Sequence, residues 1–482
     1  MSSVRLRSLA LSALAGVLAG CAVGPDYEPP EVTLPAGWRV DAEEAADLAN
    51  ARWWNRFDDP ALDDLIATAL EENRDIRSAA ARVDQFLGAL RTTRAEFFPQ
   101  VSYEGDVSRN RLSEDSFGFT PGGDPYFTQY AASLGASWQI DLFGRVRRQT
   151  EAAQAQVYAS EQGRRGVILS VVAGVATTYI RLRGLDRQLA ISIETAASYE
   201  RSLDIFRLRY QYGTVSRLEL AQVESQYYQA QAAIPRFEAQ IAAQENLLSI
   251  LLGQNPGFVN RGRDIDSMPL PEVPEYLPSE LLTRRPDIVQ AEQNLIAANA
   301  QIGVARSLYY PDIAITGAYG AVSTDLDDFL DSSARAWNIG ANVLGPIFTA
   351  GSIAGTVQSA EAARQQAEEF YRGAILNALR EVNTALAGVE KNAEVYESLS
   401  LRANALRDYA RLADLRFEAG AASYLEVLYA NQELFTAELE SVNARIDHYT
   451  SLVDVYRSMG GGWVDDASVI APSPEEVMSQ ER

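Results

Sequence analysis

A change of period at Asp141-Leu-Phe-Gly144 constrains this chain more than any other feature. Before it, Tyr130, Ala132, Leu134, Ala136, Trp138, Ile140 and Leu142 alternate with Gln129, Ala131, Ser133, Gly135, Ser137, Gln139 and Asp141. That is the period of a strand with one apolar face and one small or polar face. After it, Ile168, Val172, Val175, Tyr179, Leu182, Leu189, Ile193, Ala196 and Leu203 follow steps of four and three, with Asp186 and Glu200 interrupting two slots. This is the signature of a long coiled-coil-like helix. No proline lies between Pro125 and Pro235, so the pattern predicts an unbroken helix from about Arg145 to Tyr210, roughly 100 Å at about 1.5 Å per residue. A wall-like strand passes directly into a rod.

The first twenty residues read as a secretory signal peptide. Arg5 and Arg7 precede an apolar run from Leu9 to Ala19 that is too short for a permanent membrane span. The run closes with Leu18-Ala19-Gly20-Cys21, and Cys21 is the only cysteine of the 482 residues. The motif resembles a bacterial lipobox, which implies cleavage before Cys21 and a covalent lipid on it; a chance cysteine behind an ordinary signal is the bland alternative. Ala22 follows where an aspartate would imply inner-membrane retention, so sorting to the outer membrane is expected. Losing the two arginines moves the net charge from −23 to −25, an acidity that argues against a nucleic-acid partner. No later stretch has eighteen consecutive apolar residues, so any membrane crossing is expected to use strands.

The rest of the chain repeats one programme. Residues 21–59 read as an extended, lipid-anchored tether. Residues 60–253 read as a first unit of helix, two strands, long helix and helix, residues 254–285 as a Pro-rich connector, residues 286–459 as a second such unit, and 460–482 as a partly disordered tail. In the first unit one helix is expected from Pro60 towards Phe98-Pro99. Arg285-Pro-Asp-Ile288 echoes Arg74-Asp-Ile76, and Tyr309-Tyr-Pro311 echoes Phe97-Phe-Pro99, both at an offset of 212. Arg416-Phe417-x-x-Gly420 echoes Arg209-Tyr210-x-x-Gly213 at 207. Two tandem copies of one structural unit is the simplest account.

Each copy supplies two strands of about ten residues, suited to a tilted crossing of the hydrocarbon layer. Four strands cannot close a barrel, and an open edge in lipid leaves backbone groups unsatisfied at several kcal/mol each. Several chains must therefore share one barrel. The expected fold class is an α+β membrane protein with four transmembrane β-strands per protomer, continued by long helices.

Several stretches carry a family resemblance: Cys21-Ala-Val-Gly-Pro-Asp-Tyr-Glu-Pro-Pro30, Trp53-Trp-Asn-Arg-Phe57, Trp138-Gln-Ile-Asp-Leu-Phe-Gly-Arg145, Leu281-Leu-Thr-Arg-Arg-Pro-Asp-Ile288 and Pro346-Ile-Phe-Thr-Ala-Gly351. Together they resemble the outer-membrane efflux lipoproteins of the TolC and OprM type, over nearly the whole mature chain. The resemblance implies a homotrimer with a 12-stranded β-barrel in outer-membrane lipid, continued by a periplasmic α-helical coiled-coil barrel. It also implies a periplasmic membrane-fusion (adaptor) protein and an inner-membrane transporter of the resistance-nodulation-division (RND) class as partners. A type I protein-secretion duct and a non-conducting coiled-coil scaffold are the alternatives. The lone His448, beside Asp447 in a helical pattern, gives no catalytic constellation.

By that resemblance the tip turns that dock the adaptor fall at Gly213, Thr214 and Ser216 and at Gly420, Ala421 and Ser423. Glu219 and Glu426 occupy matching positions just beyond. Two readings stand. Six carboxylates in a trimer would form a cation-selective ring, while Ser216-Arg-Leu-Glu219 and Ser423-Tyr-Leu-Glu426 both have the S-x-x-E form of a capping box. The family's gate aspartate falls at Tyr429 here, a departure from the pattern. Arg217, Tyr424 and Tyr429 are the further aperture candidates.

Overall fold

The computed structural model describes residues 22–30, 52–113, 115, 124–271 and 284–461. The signal peptide, Cys21, most of the tether, the connector from 272 to 283 and the tail beyond 461 lie outside the described residues. Eleven long elements follow in order: α1 (Pro60–Glu72), α2 (Arg74–Ala95), β1 (Gln100–Arg111), β2 (Tyr126–Ile140), α3 (Arg145–Gln211), α4 (Arg217–Leu251), α5 (Pro286–Ser307), β3 (Asp312–Ser323), β4 (Arg335–Leu344), α6 (Ser352–Glu418) and α7 (Tyr424–Ser458). The expected long helix runs over 67 residues as α3, and α6 matches it at 67.

Two expectations at the N-terminal side are corrected. The helix from Pro60 is two helices, because Asn73 leaves helical geometry at ψ 133°. Its side-chain oxygen accepts from the N–H groups of Asp75 and Ile76 at 2.8 and 3.0 Å, and its amide donates to Leu251 O at 2.7 Å. An asparagine that satisfies the first turn of a new helix ends the old one. The extended-tether reading fails for Trp53–Phe57, a short 3-10 turn with Trp53, Trp54 and Phe57 buried. Trp53 stacks on Tyr456 at 5.0 Å. Three large aromatic groups have too much apolar surface to stay in water as a linker.

The chain divides into two compact units. The first comprises 1–31, 83–159 and 291–371, and the second 32–82, 160–290 and 372–482. The first holds an antiparallel sheet in the order β1-β2-β3-β4. The strands run longer than expected at the loop end, since Arg111 still pairs with Tyr126. The register aligns Tyr103 with Leu134, Leu134 with Tyr319, and Tyr319 with Trp337. Directly opposite residues share a face, so this row marks an apolar face. Its side chains are open, with Tyr103 87% and Trp337 73% exposed. The other face carries Glu104 opposite Ser133, Ser133 opposite Gly320, and Gly320 opposite Ala336. β1 and β4 each have one unpaired edge.

Residues 22–30 are held against the helices of this unit. Val23 N–H donates to Phe143 O at 3.2 Å, Arg148 reaches Asp26 at 2.8 Å, Asn299 donates to Pro25 O at 3.0 Å and Tyr27 donates to Glu292 at 3.1 Å. Gly24 lies on Gly303 so closely that a Cβ on Gly24 would sit 2.5 Å from the Gly303 Cα.

The second unit has the larger apolar core. Ile66, Val172, Val175, Tyr179, Leu182, Leu248, Ile265 and Val453 are fully buried in it. One window of α3 is long and apolar enough to cross a membrane by composition, and 56% of it is buried inside the protein. The period of α3 is thus that of a core helix. Asp59 caps α1, accepting from Ala61 N–H at 3.0 Å, and also accepts from the Tyr179 hydroxyl at 2.8 Å and Arg263 N–H at 3.0 Å. Burial and that carboxylate push the Tyr179 phenol far above its usual range.

Candidate functional site: the two helical turns

Two helix-turn-helix connections in the second unit hold every candidate tip residue. At α3–α4, Gly213 has φ +70°, and Thr214 N–H donates to Arg209 O at 2.9 Å. At α6–α7, Gly420 has φ +72°, and Ala421 N–H donates to Arg416 O at 2.8 Å. Both are Schellman-type helix ends. A Cβ at either glycine would meet nothing within 4 Å, so glycine is needed for its left-handed backbone and not for space.

The helices that follow start differently. Ser216 forms the expected capping box, since Glu219 N–H donates to Ser216 Oγ at 3.2 Å and Ser216 N–H donates to the Glu219 carboxylate at 2.7 Å. Those hydrogen bonds to the charged form hold the Glu219 carboxyl below the usual range. The matching box at Ser423 does not form: the serine makes no side-chain cap bond, and Glu426 accepts from Arg416 at 3.0 Å. The reason lies one turn back. Arg209 rests over the rings of Phe206 and Phe417, 5.6 Å from each centroid. The position matching Phe206 is Ala413, which offers no ring, and Arg416 turns to the carboxylate.

The other candidates separate. Tyr424 is drawn inward, its ring 4.2 Å from Phe206 and 5.1 Å from Phe417, and its phenol is pushed up by burial. Arg217 pairs with Glu224 at 3.1 Å along its own helix. Tyr429 is exposed, as are Leu218 and Leu425 at equivalent first-turn positions. The residues that sequence reasoning missed are Phe206, Arg209, Arg416 and Phe417. Arg416-Phe417 served only as a marker of the repeat, although an Arg beside aromatics at helical spacing was a readable signal.

The fold places a lipid-compatible sheet and two glycine turns in one chain, and a family profile described as outer membrane efflux protein matches residues 65–254 and 277–461. The chain belongs to the outer membrane efflux protein family. It is similar to the toluene efflux pump outer membrane protein TtgC of Pseudomonas putida, with 34% identity over 465 residues covering 95% of this chain and 96% of that one. It is similar also to the probable outer membrane lipoprotein SilC of Salmonella typhimurium, with 30% identity over 470 residues, 96% of this chain and 100% of that one. Among solved structures, the open state of the MtrE outer membrane channel of Neisseria gonorrhoeae superposes with a TM-score of 0.83 at 29% identity, over 92% of this chain and 99% of that one. The family is one of outer membrane efflux channels.

Proposed function

We propose that three copies of this chain close a 12-stranded barrel across the outer membrane and form the exit duct of a tripartite efflux pump. The observation that carries this reading is the open four-stranded sheet, with one exposed apolar face and two unpaired edges. A free edge in lipid is not tolerated, and edge-to-edge closure of β1 on β4 of the next copy removes every edge at once. Twelve strands of about 4.8 Å spacing, tilted by about 40°, enclose a backbone wall of roughly 12 Å radius. That leaves a water-filled lumen for small molecules.

In this reading residues 1–20 are removed, Cys21 carries lipid, and residues 60–253 and 286–459 are tandem copies of one unit. The turns at Gly213, Thr214 and Ser216 and at Gly420, Ala421 and Ser423 dock a periplasmic adaptor, with an RND-type transporter supplying the energy. The relative named for toluene aligns over the same length of chain, which supports a small apolar cargo over a polypeptide. Oligomer mass in detergent, measured alongside conductance in planar bilayers, tests the proposal. A trimer that conducts is expected; a monomer, or a trimer silent even with its tip turns loosened, overturns it.

A further inference from the structure

The strand register divides the charges of the sheet by sign. Arg109, Arg111 and Arg335 all fall on the apolar face, aligned with Thr128, Tyr126 and Ala321. Arg111 lies over the Tyr126 ring at 5.8 Å, which fixes both on that face. The polar face has no basic residue in any of the four strands, and its acids are Glu104, Asp106 and Asp312. Asp312 has Arg145 at 3.9 Å. Glu104 and Asp106 are exposed and have no hydrogen-bond or ion-pair partner among the described residues.

Their neighbours are small. The row through Glu104 continues as Ser133, Gly320 and Ala336, and the row through Asp106 as Ala131 and Val322. No space exists for a larger group at Gly320, where a Cβ would come within 2.1 Å of Ala132 O. The two carboxylates are therefore the most protruding groups of their rows. At the tip, in contrast, Glu219 is engaged by Ser216 and Glu426 by Arg416.

We propose that Glu104 and Asp106 set a charge preference in the barrel section of the duct. This rests on the trimeric barrel proposed above. Three copies place six carboxylates on the inner wall at two levels, about 7 Å apart along the strand. Side chains reaching about 4 Å inward from a wall of roughly 12 Å radius stand about 8 Å from the axis, one Debye length at physiological ionic strength. A cation on the axis feels all six, in a lumen whose low-dielectric wall focuses the field. No ion is held; the effect is a potential along the path, which favours cationic over anionic cargo and weakens in molar salt.

The test is the reversal potential of the full-chain trimer under a potassium chloride gradient, in dilute and in molar salt. Measurements on the wild-type background and on a Tyr424→Ala background keep a closed tip from hiding the barrel. Cation preference is expected in dilute salt, falling at least about threefold in Glu104→Gln/Asp106→Asn and reversing in Glu104→Lys/Asp106→Lys. Conduction without selectivity, or a preference that survives the strand substitutions and vanishes with Glu219→Gln/Glu426→Gln, overturns this assignment while leaving the channel intact. Silence on both backgrounds overturns the channel reading and this inference with it.

Discussion

Arg416 Nη1 donates to the Glu426 carboxylate at 3.0 Å, and this pair takes the place of the capping box that the first turn builds from Ser216 and Glu219. The two turns thus have the same backbone and different locks. Ser216→Ala is expected to weaken the first turn of α4 by about 1 kcal/mol, the usual worth of a serine cap. Ser423→Ala removes no side-chain bond and is expected to change little. Hydrogen exchange at the two helix starts checks this: faster exchange after Ser216→Ala alone is the expected result, and equal effects at both would count against the asymmetry.

Tyr424 ties the α6–α7 turn to Phe206 of α3, while Arg217 is already paired with Glu224 on its own helix. Truncating a ring packed on two others removes about 3 kcal/mol of local packing. Tyr424→Ala is therefore expected to raise the open fraction of single channels in planar bilayers. Arg217→Ala alone breaks only an exposed pair worth about 0.5 kcal/mol or less, and should leave the open fraction unchanged.

The element order was legible because period and proline placement decide it. Alternation through Trp138 marks β2, and the proline-free interval up to Pro235 marks α3. What failed was decided by side-chain chemistry with no periodic signature. Asn73 splits α1 from α2 by turning its amide on the backbone, and Trp53 joins the core because Tyr456, some four hundred residues later, stacks on it. The turns were placed correctly, and the equivalence of Glu219 and Glu426 was read from identical S-x-x-E spacing. A single exchange, Phe206 against Ala413, sends the arginine three residues later to different partners and breaks that equivalence. Spacing reports position, and the neighbour one helical turn back sets the role.

His448 is buried on α7 beside Tyr396 and Tyr449, ring centroids 6.3 and 6.5 Å away, and burial lowers its pKa. The unfolded chain, with an imidazole near 6.5, binds the proton more readily than the folded one. The neutral form's contribution is therefore complete above about pH 6.5 and is lost as pH falls towards the depressed folded value. Thermal unfolding of the detergent-solubilised protein should show a smaller loss between neutral and mildly acidic pH in His448→Gln than in wild type. Identical slopes would mean that other groups carry the acid sensitivity.

A Cβ on Gly303 would lie 2.6 Å from Val23 O and 2.7 Å from Arg148 Cγ. Gly303→Val is expected to dislodge residues 22–30 and release Asp26 from Arg148. Hydrogen exchange at 22–30 should accelerate about tenfold or more, as a segment held by several side-chain bonds is released. Unchanged protection would show that the glycine contact does not hold the segment.

The two sheet faces make opposite demands on the same substitution. Tyr319 lies mid-strand on the apolar face between Leu134 and Trp337, and Thr316 lies on the polar face between Ser137 and Gly340. In a lipid-embedded barrel, arginine at Tyr319 must be buried in hydrocarbon at about 2–4 kcal/mol per copy near the midplane, whereas arginine at Thr316 enters water. Tyr319→Arg is expected to lower the amount of heat-modifiable trimer recovered from outer membranes several-fold. Thr316→Arg should assemble normally and reduce cation preference, since its positive charge shares the lumen with Glu104 and Asp106. If Thr316→Arg fails to assemble while Tyr319→Arg does not, the faces have been assigned the wrong way round, and the mid-strand carboxylates of β1 would have to lie at a depth in lipid where an ionised side chain is costly.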